Sequence, residues 1–458
     1  MASTEPSERQ ILTGWGRAMP SAATVHRPVH VDAIAPCLDE PATRGVVARG
    51  LGRSYGDAAQ NAGGVVVDTT ATGATSGIRV VDGTVTVPGG TSLDALMAEV
   101  VPQGYFVPVS PGTRYVTVGG AIAADVHGKN HHIDGSFANH VRSLRLAVPG
   151  GKVLDIGPSE DQQPELFWAT TGGMGLTGII VEATVSLLRI ESSMVLVDTD
   201  RVRDLDAVMT LMDEGDARYH YSVAWIDLMA TGKSMGRSVL TRGDFAPRGA
   251  LQPGRRGDAL LPPSRRVVPA PPAPPGLLNK ASIRIFNELY FRQAPARRRG
   301  ELQSIPQFFH PLDFVDGWNR LYGPHGFLQW QSVIPFGQER TLQRVVEALS
   351  NAHLPSFLAV LKRFGAADPG PLSFPLPGWT LALDLPVAHG PALAVLLDDL
   401  DREVADAGGR IYLAKDSRLR PEMVPVMYPR LDEWREVRRS VDPQGALCSD
   451  LARRLHLL

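Results

Sequence analysis

An α+β protein of two domains, or of one domain carrying a large insertion, is predicted by three features of the sequence. The chain has 458 residues, more than one hydrophobic core usually serves. Short β-rich runs divided by glycine-rich turns fill the region up to about Leu188. From Leu196 to about Arg410 the character changes: aromatic residues become frequent, and strand-like segments precede helical ones.

Strands are expected at Gly45 to Ala48, Val65 to Asp68, Ile78 to Val81 and Val85 to Val87, where β-branched residues cluster between turns. A helix follows. Ser92 can cap it, Asp94 lies in its first turn, and Leu93, Leu96, Met97 and Val100 share a face, with Gly104 marking the exit. Val141 to Val148 and Gly178 to Leu188 read as further strands. In the second region Gly326 to Ile334 and Trp379 to Leu385 read as strands, and Pro391 to Ala407 as a helix closed by Gly408-Gly409. Between them, about 246–276 is too rich in proline for helix or central strand and is expected to form a long, exposed loop, mobile unless something binds it. There is no internal repeat.

Hydrophobic residues make up 43% and charged residues 21%, which fits a folded globular chain and argues against a polytopic membrane protein. With 46 basic against 48 acidic residues no global field draws the protein to nucleic acid. The two cysteines, Cys37 and Cys448, stand at opposite ends, so neither a disulfide framework nor a zinc site is expected. Met1 to Leu12 lack the basic start and apolar run of a Sec-type signal, and no apolar stretch approaches the ~20 residues of a membrane span. Membrane association would therefore be peripheral or through a partner.

Chemistry concentrates in three glycine-rich strings. Arg49-Gly50-Leu51-Gly52-Arg53-Ser54-Tyr55-Gly56-Asp57 follows a strand and points successive N–H groups at a possible anion, yet its spacing is neither the dinucleotide fingerprint nor the P-loop. A second string runs from Pro111-Gly112-Thr113 through Thr117-Val118-Gly119-Gly120-Ala121 to His127-Gly128-Lys129-Asn130-His131-His132. The third is Thr171 to Gly178. Together they suggest an extended cofactor gripped by backbone at several points, and FAD has the necessary length. No metal is expected at His127, His131 and His132: a metalloprotease glutamate is missing, Gly128 disfavours helix, and Lys129 repels a cation.

These strings together resemble the FAD-binding domain of the vanillyl-alcohol oxidase type. Further stretches, among them Phe167-Trp168-Ala169-Thr170, Gly326-Phe327-Leu328-Gln329, Leu372-Ser373-Phe374-Pro375, Ala414-Lys415-Asp416-Ser417-Arg418 and Met427-Tyr428-Pro429-Arg430, extend the likeness over nearly the whole chain. Within that type the sequence is similar to the decaprenylphosphoryl-ribose 2′-oxidase family, the flavoprotein half of a two-subunit 2′-epimerase in actinobacterial arabinan synthesis.

The resemblance implies an FAD-binding unit of residues 7–195 and 412–458, with 196–411 inserted as a substrate domain built on an antiparallel sheet. It implies FAD contacts from Arg49 to Asp57, Gly112, Thr117, Val118, Gly119, Gly120, Ala124, Asp125, His127, Ile180 and Tyr412. Non-covalent FAD is implied because Arg53 stands where many relatives carry a tethering histidine. The substrate would be polyprenylphosphoryl-ribose, held by Gln329, Gln331, Lys362, Trp379 and Lys415. Lys415 or His127 would take the hydroxyl proton, and Tyr55 would cover the ring. Mycobacterial members carry cysteine where Ala382 stands. The resemblance also implies an NAD(P)H-dependent keto-reductase partner subunit and a peripheral place in the cell envelope or periplasm; with no signal peptide visible, the cytoplasmic face stays open. The alternative is an aldonolactone or alditol oxidase of the same fold acting on a soluble sugar.

Overall fold

The computed structural model describes residues 7–39, 43–264, 266–270, 278–387 and 390–458. The proline run 271–276 of the expected mobile loop lies outside the described residues.

Three sheets organise the molecule. The first is a mixed sheet in the order Glu8–Leu12, Ser21–His26, Val65–Asp68, Val46–Arg49. Its inner strands pair in parallel, and Val46, Val47, Val65, Val66 and Val67 are all buried, as expected for strands covered on both faces. The C-terminal segment returns to this sheet: the Val46 N–H donates to the Ala446 carbonyl at 2.8 Å and the Cys448 N–H to the Val46 carbonyl at 2.9 Å.

The second sheet is antiparallel, in the order Thr84–Pro88, Ile179–Ser186, Val141–Val148, Lys152–Ile156. Beside it lies the helix Leu93–Val100, where Ser92 Oγ accepts from the Ala95 N–H and Leu93, Leu96, Met97 and Val100 are buried. Gly104 closes the following turn in the left-handed region, at φ +85°.

The third sheet has eight antiparallel strands, in the order Arg297–Ser304, Met194–Val202, Ser238–Phe245, Tyr221–Ile226, Ala359–Phe364, Gly378–Pro386, Phe327–Pro335, Arg410–Ile411. One face packs on the helices Leu205–Gly215, Glu339–Ala352 and Gly390–Asp406, which share a core with Trp330, Ile334, Leu361, Leu381 and Leu383. The other face looks toward the glycine-rich loops.

Two expectations differ from the structure. Ile78 to Val81 is not a strand: the Gln103 side chain takes its hydrogen bonds, accepting from the Val80 N–H at 3.1 Å and donating to the Ile78 carbonyl at 2.9 Å. Val81 forms an isolated bridge with Thr84. The described part of the proline-rich loop is anchored rather than wholly exposed. Leu251 and Ala259 are buried, and Val268–Pro269 pairs in parallel with Val315–Asp316.

Candidate active site

The loop after Val46–Arg49 is shaped by close contacts that only glycine permits. A Cβ on Gly50 would lie 2.3 Å from Thr117 Oγ1, so the first and second glycine strings touch there. Arg49 folds back and donates to the Ala59 and Thr13 carbonyls at 3.0 and 2.8 Å, clamping the loop from behind. Among the described residues, the N–H groups of Leu51, Gly52, Arg53 and Ser54 find no acceptor in the protein. The Tyr55 N–H then donates to the Ala414 carbonyl at 3.0 Å and brings Lys415 alongside.

These loops and the third sheet enclose a cavity of about 580 Å³. Gly50 to Tyr55, Gly112, Thr117, Gly119, Gly120 and Ala124 line one part of it, together with Ile180 and Tyr412. A Cβ on Gly112 would meet nothing within 4 Å, so the backbone there is bare toward the cavity. Unpaired N–H groups and bare glycine backbone suit an extended, anionic group, which is what the diphosphate of FAD requires. Tyr412 and Ala124 are tied together, the phenol donating to the carbonyl at 2.6 Å.

The other part of the cavity is the free face of the third sheet. Register fixes its membership: Gln331 lies opposite Ala382, Gln329 opposite Asp384, Lys362 opposite Thr380, and Trp225 opposite Val239 and Val360. Gln329, Gln331, Lys362 and Ala382 therefore project together into the cavity, with His127, Lys129 and Lys415 across from them. Beyond Lys362 the lining is mainly apolar, with Val223, Trp225, Val239, Val360 and Tyr290 around Thr241.

Burial sets the charge states. Lys129 is pulled down to about 7 by burial and then by the Lys362 charge, and Lys362 to about 8 by burial. Each ammonium touches the cavity yet is surrounded by protein. Lys415 is also lowered, by burial first; Asp384 opposes the shift and Lys362 adds to it. Burial raises the Asp384 carboxyl in turn, although Gln329 Nε2 donates to it at 2.5 Å. His127 is held well below its ordinary value by burial and by Lys362, so its ring is neutral near pH 7. Its Nε2 lies 2.8 Å from the Gln331 amide, whose nitrogen also donates to Thr380 Oγ1 at 3.1 Å.

Six of the residues expected in the site stand outside the cavity lining. Arg49 clamps the loop as described. Gly56 passes beneath the Asp416 carbonyl, where a Cβ would come within 1.9 Å. Asp57 accepts both bonds of the Arg454 guanidinium, at 2.9 and 2.7 Å. Val118 is buried in the core of the second sheet. Asp125 is buried against Ser136, Ser373 and Asp368. Trp379 is the substantive correction: strand alternation turns it to the opposite face from Gln331 and Lys362, where its indole N–H donates to Glu339 at 3.2 Å and its ring packs on Phe336 and beneath Arg363.

The cavity also contains Lys129, as well as Trp225 and Tyr290, for which the sequence carries no local signal; Asp384 sits just behind Gln329. Lys129 stands within the histidine string, where its charge repels a cation. The Lys415 side chain does not pair with Asp416, which accepts from Arg454 at 2.8 Å instead. His131 and His132 face different partners, the Gly365 N–H and the Tyr219 carbonyl. Ala382 lines the cavity, so no thiol is present there.

Comparison with known proteins agrees with this geometry. An FAD binding domain model matches residues 22–157, and a D-arabinono-1,4-lactone oxidase model matches 380–455. Decaprenylphosphoryl-β-D-ribose oxidase of Mycolicibacterium smegmatis is 43% identical, over 100% of both chains. An uncharacterised protein of Streptomyces coelicolor is 42% identical over 80% of this chain and 100% of its own. L-gulono-1,4-lactone dehydrogenase of Mycobacterium tuberculosis is 23% identical over 97% of this chain and 99% of its own. The fold is of the vanillyl-alcohol oxidase type and the cofactor is FAD. On full-length identity and on the architecture of its cavity, the chain belongs to the decaprenylphosphoryl-β-D-ribose oxidase family of FAD-dependent oxidoreductases.

Proposed function

We propose that the protein oxidises the 2′-hydroxyl of decaprenylphosphoryl-β-D-ribose to the 2′-keto sugar, the first half of an epimerisation that yields an arabinose donor. The observation that carries this reading is the convergence of Lys415, Lys362, Gln329 and Gln331 on one cavity that also contains the glycine-rich loops. Residues 7–195 and 412–458 act as the FAD-binding unit and 196–411 as the substrate unit. FAD, when bound, supplies the acceptor for the hydride leaving C2′.

Lys415 takes the hydroxyl proton on Nζ, since burial and the Lys362 charge move its pKa toward neutrality. His127 serves by position: with Nε2 against the Gln331 amide, it fixes the side chain that presents to the sugar. Gln329 and Gln331 bind sugar hydroxyls, and Lys362 with Lys129 binds the phosphate. Tyr55 packs over Lys415 and closes that end of the cavity. FAD is held without a covalent bond, because Arg53 offers no nucleophile and its guanidinium stacks 3.8 Å over the Trp15 ring.

The keto product calls for an NAD(P)H-dependent reductase partner, and a lipid-linked substrate calls for peripheral contact with the envelope membrane. Among the described residues no helix is long and apolar enough to cross a membrane.

The test is an anaerobic titration of the FAD-loaded protein with a polyprenylphosphoryl-ribose. Bleaching of the flavin band at ~450 nm, release of the flavin by acid and a product two hydrogens lighter are expected. Bleaching only by free aldonolactones or alditols would replace this reading with an oxidase of soluble sugars; an aldonolactone is the substrate in the name of the 23%-identical relative.

A further inference from the structure

The helix Lys280–Gln293 carries large apolar side chains on its outward face, which is unusual for a surface helix in water. Its inward side buries Ile283 and Asn287, whose Nδ2 donates to Asp227 at 2.7 Å, and Glu288 pairs with Arg237 at 2.7 Å. Its outward side carries Ile285, Phe286, Leu289 and Tyr290, exposed by 62%, 44%, 54% and 42%. Four large apolar side chains at helical spacing and open to solvent form a contiguous patch rather than scattered surface residues.

Two further observations say what covers this face. The first is charge. Between Leu278 and Gly300 the sequence has six basic residues and one acidic residue; Arg292, Arg298 and Arg299 are paired with Glu288, Glu301 and Asp200, while among the described residues Lys280 and Arg284, on the helix itself, have no carboxylate partner. An apolar stripe bordered by cations matches an anionic lipid surface. The second is continuity. Tyr290 belongs both to the exposed stripe and to the cavity lining, and its ring packs 4.7 Å from Trp225, deep in the apolar part of that cavity. Leu278, just before the helix, shares a cluster with Val315, whose neighbour Phe314 is exposed, as is Val268 opposite Val315.

We propose that the helix Lys280–Gln293 is the face on which the protein docks to an anionic bilayer, and that the apolar end of the cavity beside Tyr290 and Trp225 opens onto that bilayer. A lipid-linked sugar then enters headgroup first, its chain remaining at the membrane side while the sugar reaches Lys415. This deepens the assignment of a lipid-linked substrate and rests on it.

The experiment is flotation of the FAD-loaded full-length protein with vesicles of phosphatidylcholine and phosphatidylglycerol, and with phosphatidylcholine alone. The unaltered protein is expected to float with the anionic vesicles, and less so at high salt. The double variant Ile285→Asp and Leu289→Asp, at positions that do not line the active-site cavity, should bind at least about tenfold more weakly. It should keep its flavin and its turnover of a short-chain, water-soluble polyprenylphosphoryl-ribose. Lys280→Glu with Arg284→Glu provides a second variant that leaves the apolar stripe intact, and it should lose the preference for anionic lipid.

Vesicle binding by the Ile285/Leu289 variant equal to that of the unaltered protein would overturn the proposal. So would a protein that ignores vesicles but dimerises through this face, seen as a dimer that the same variant converts to monomer. Vesicle binding lost in the variants, together with no bleaching by the short-chain substrate in the unaltered protein, would leave the docking face standing and remove the assigned reaction.

Discussion

The Nζ of Lys415 lies 3.9 Å from the centroid of the Tyr55 ring, a contact made possible because the Tyr55 N–H is hydrogen-bonded to Ala414 next door. The ammonium is thus fixed between an aromatic face, the Lys362 charge that lowers its pKa and the Asp384 carboxyl that raises it. If Lys415 is the base, kcat/KM rises with pH through an apparent pKa well below the 10.5 of a free lysine. Lys362→Met should move that ascending limb to higher pH, and Asp384→Asn to lower pH. Lys415→Met should cut kcat by ~10²–10⁴ and remove the limb. A pH–rate profile of the four proteins reads all of this.

Lys362 offers a stability test of opposite character. Its folded pKa, about 8, lies below the unfolded value, so near neutral pH the fold bears the cost of a buried charge. Both states are protonated below about pH 8. Between about 8 and 10.5 the unfolded state holds the extra proton and stability rises with pH. Lys362→Met should therefore stabilise the apoprotein at pH 7, by up to roughly 3 kcal/mol and by less where water fills the cavity. The gain should fade as the pH of the denaturation series passes through that window.

A substitution at Gly112 should separate folding from cofactor binding. Its φ is not in the left-handed region and a side chain there would enter open cavity space. Gly112→Val should leave the melting temperature of the apoprotein within a degree or two, while lowering bound flavin by about tenfold or more. Gly50→Ala, with Thr117 in the way, should lose both.

Arg454 joins three segments through Asp57, Asp416 and the Leu419 carbonyl. Arg454→Met strands two buried carboxylates, for an expected loss of about 3 kcal/mol in denaturant unfolding. FAD should also dissociate faster, since Asp57 and Asp416 anchor the loops that carry Tyr55 and Lys415.

Ala382→Cys should create a cavity thiol where the protein has none, its own Cys37 and Cys448 being buried elsewhere. Mass spectrometry after treatment with a small soft electrophile should find one adduct in the variant only, and a slower reaction when substrate is bound.

Local signals carried much of the fold. The Ser92 cap, the valine runs and the glycines closing Gly390–Asp406 each act over a few residues, so they were legible in sequence. Ile78 to Val81 has the composition of a strand but no neighbouring strand to pair with, and Gln103 supplies its bonds from 25 residues away. Most of the residues that the family resemblance points to line the cavity. Trp379 does not, because which face a strand residue occupies depends on register with its neighbours. The sequence shows Lys129 only as a charge that repels a cation, because what buries it lies far along the chain: it donates to the Phe308 carbonyl and sits under that ring.

The eight-stranded sheet divides its labour by parity. Along Phe327–Pro335, Gln329 and Gln331 face the cavity while Leu328, Trp330 and Ile334 face the helices. Inserting one residue ahead of Gln329 would send the amides into the apolar layer and the tryptophan into the cavity. Selection on this strand therefore acts on its length as stringently as on its composition, and homologues should tolerate exchanges there far more readily than indels.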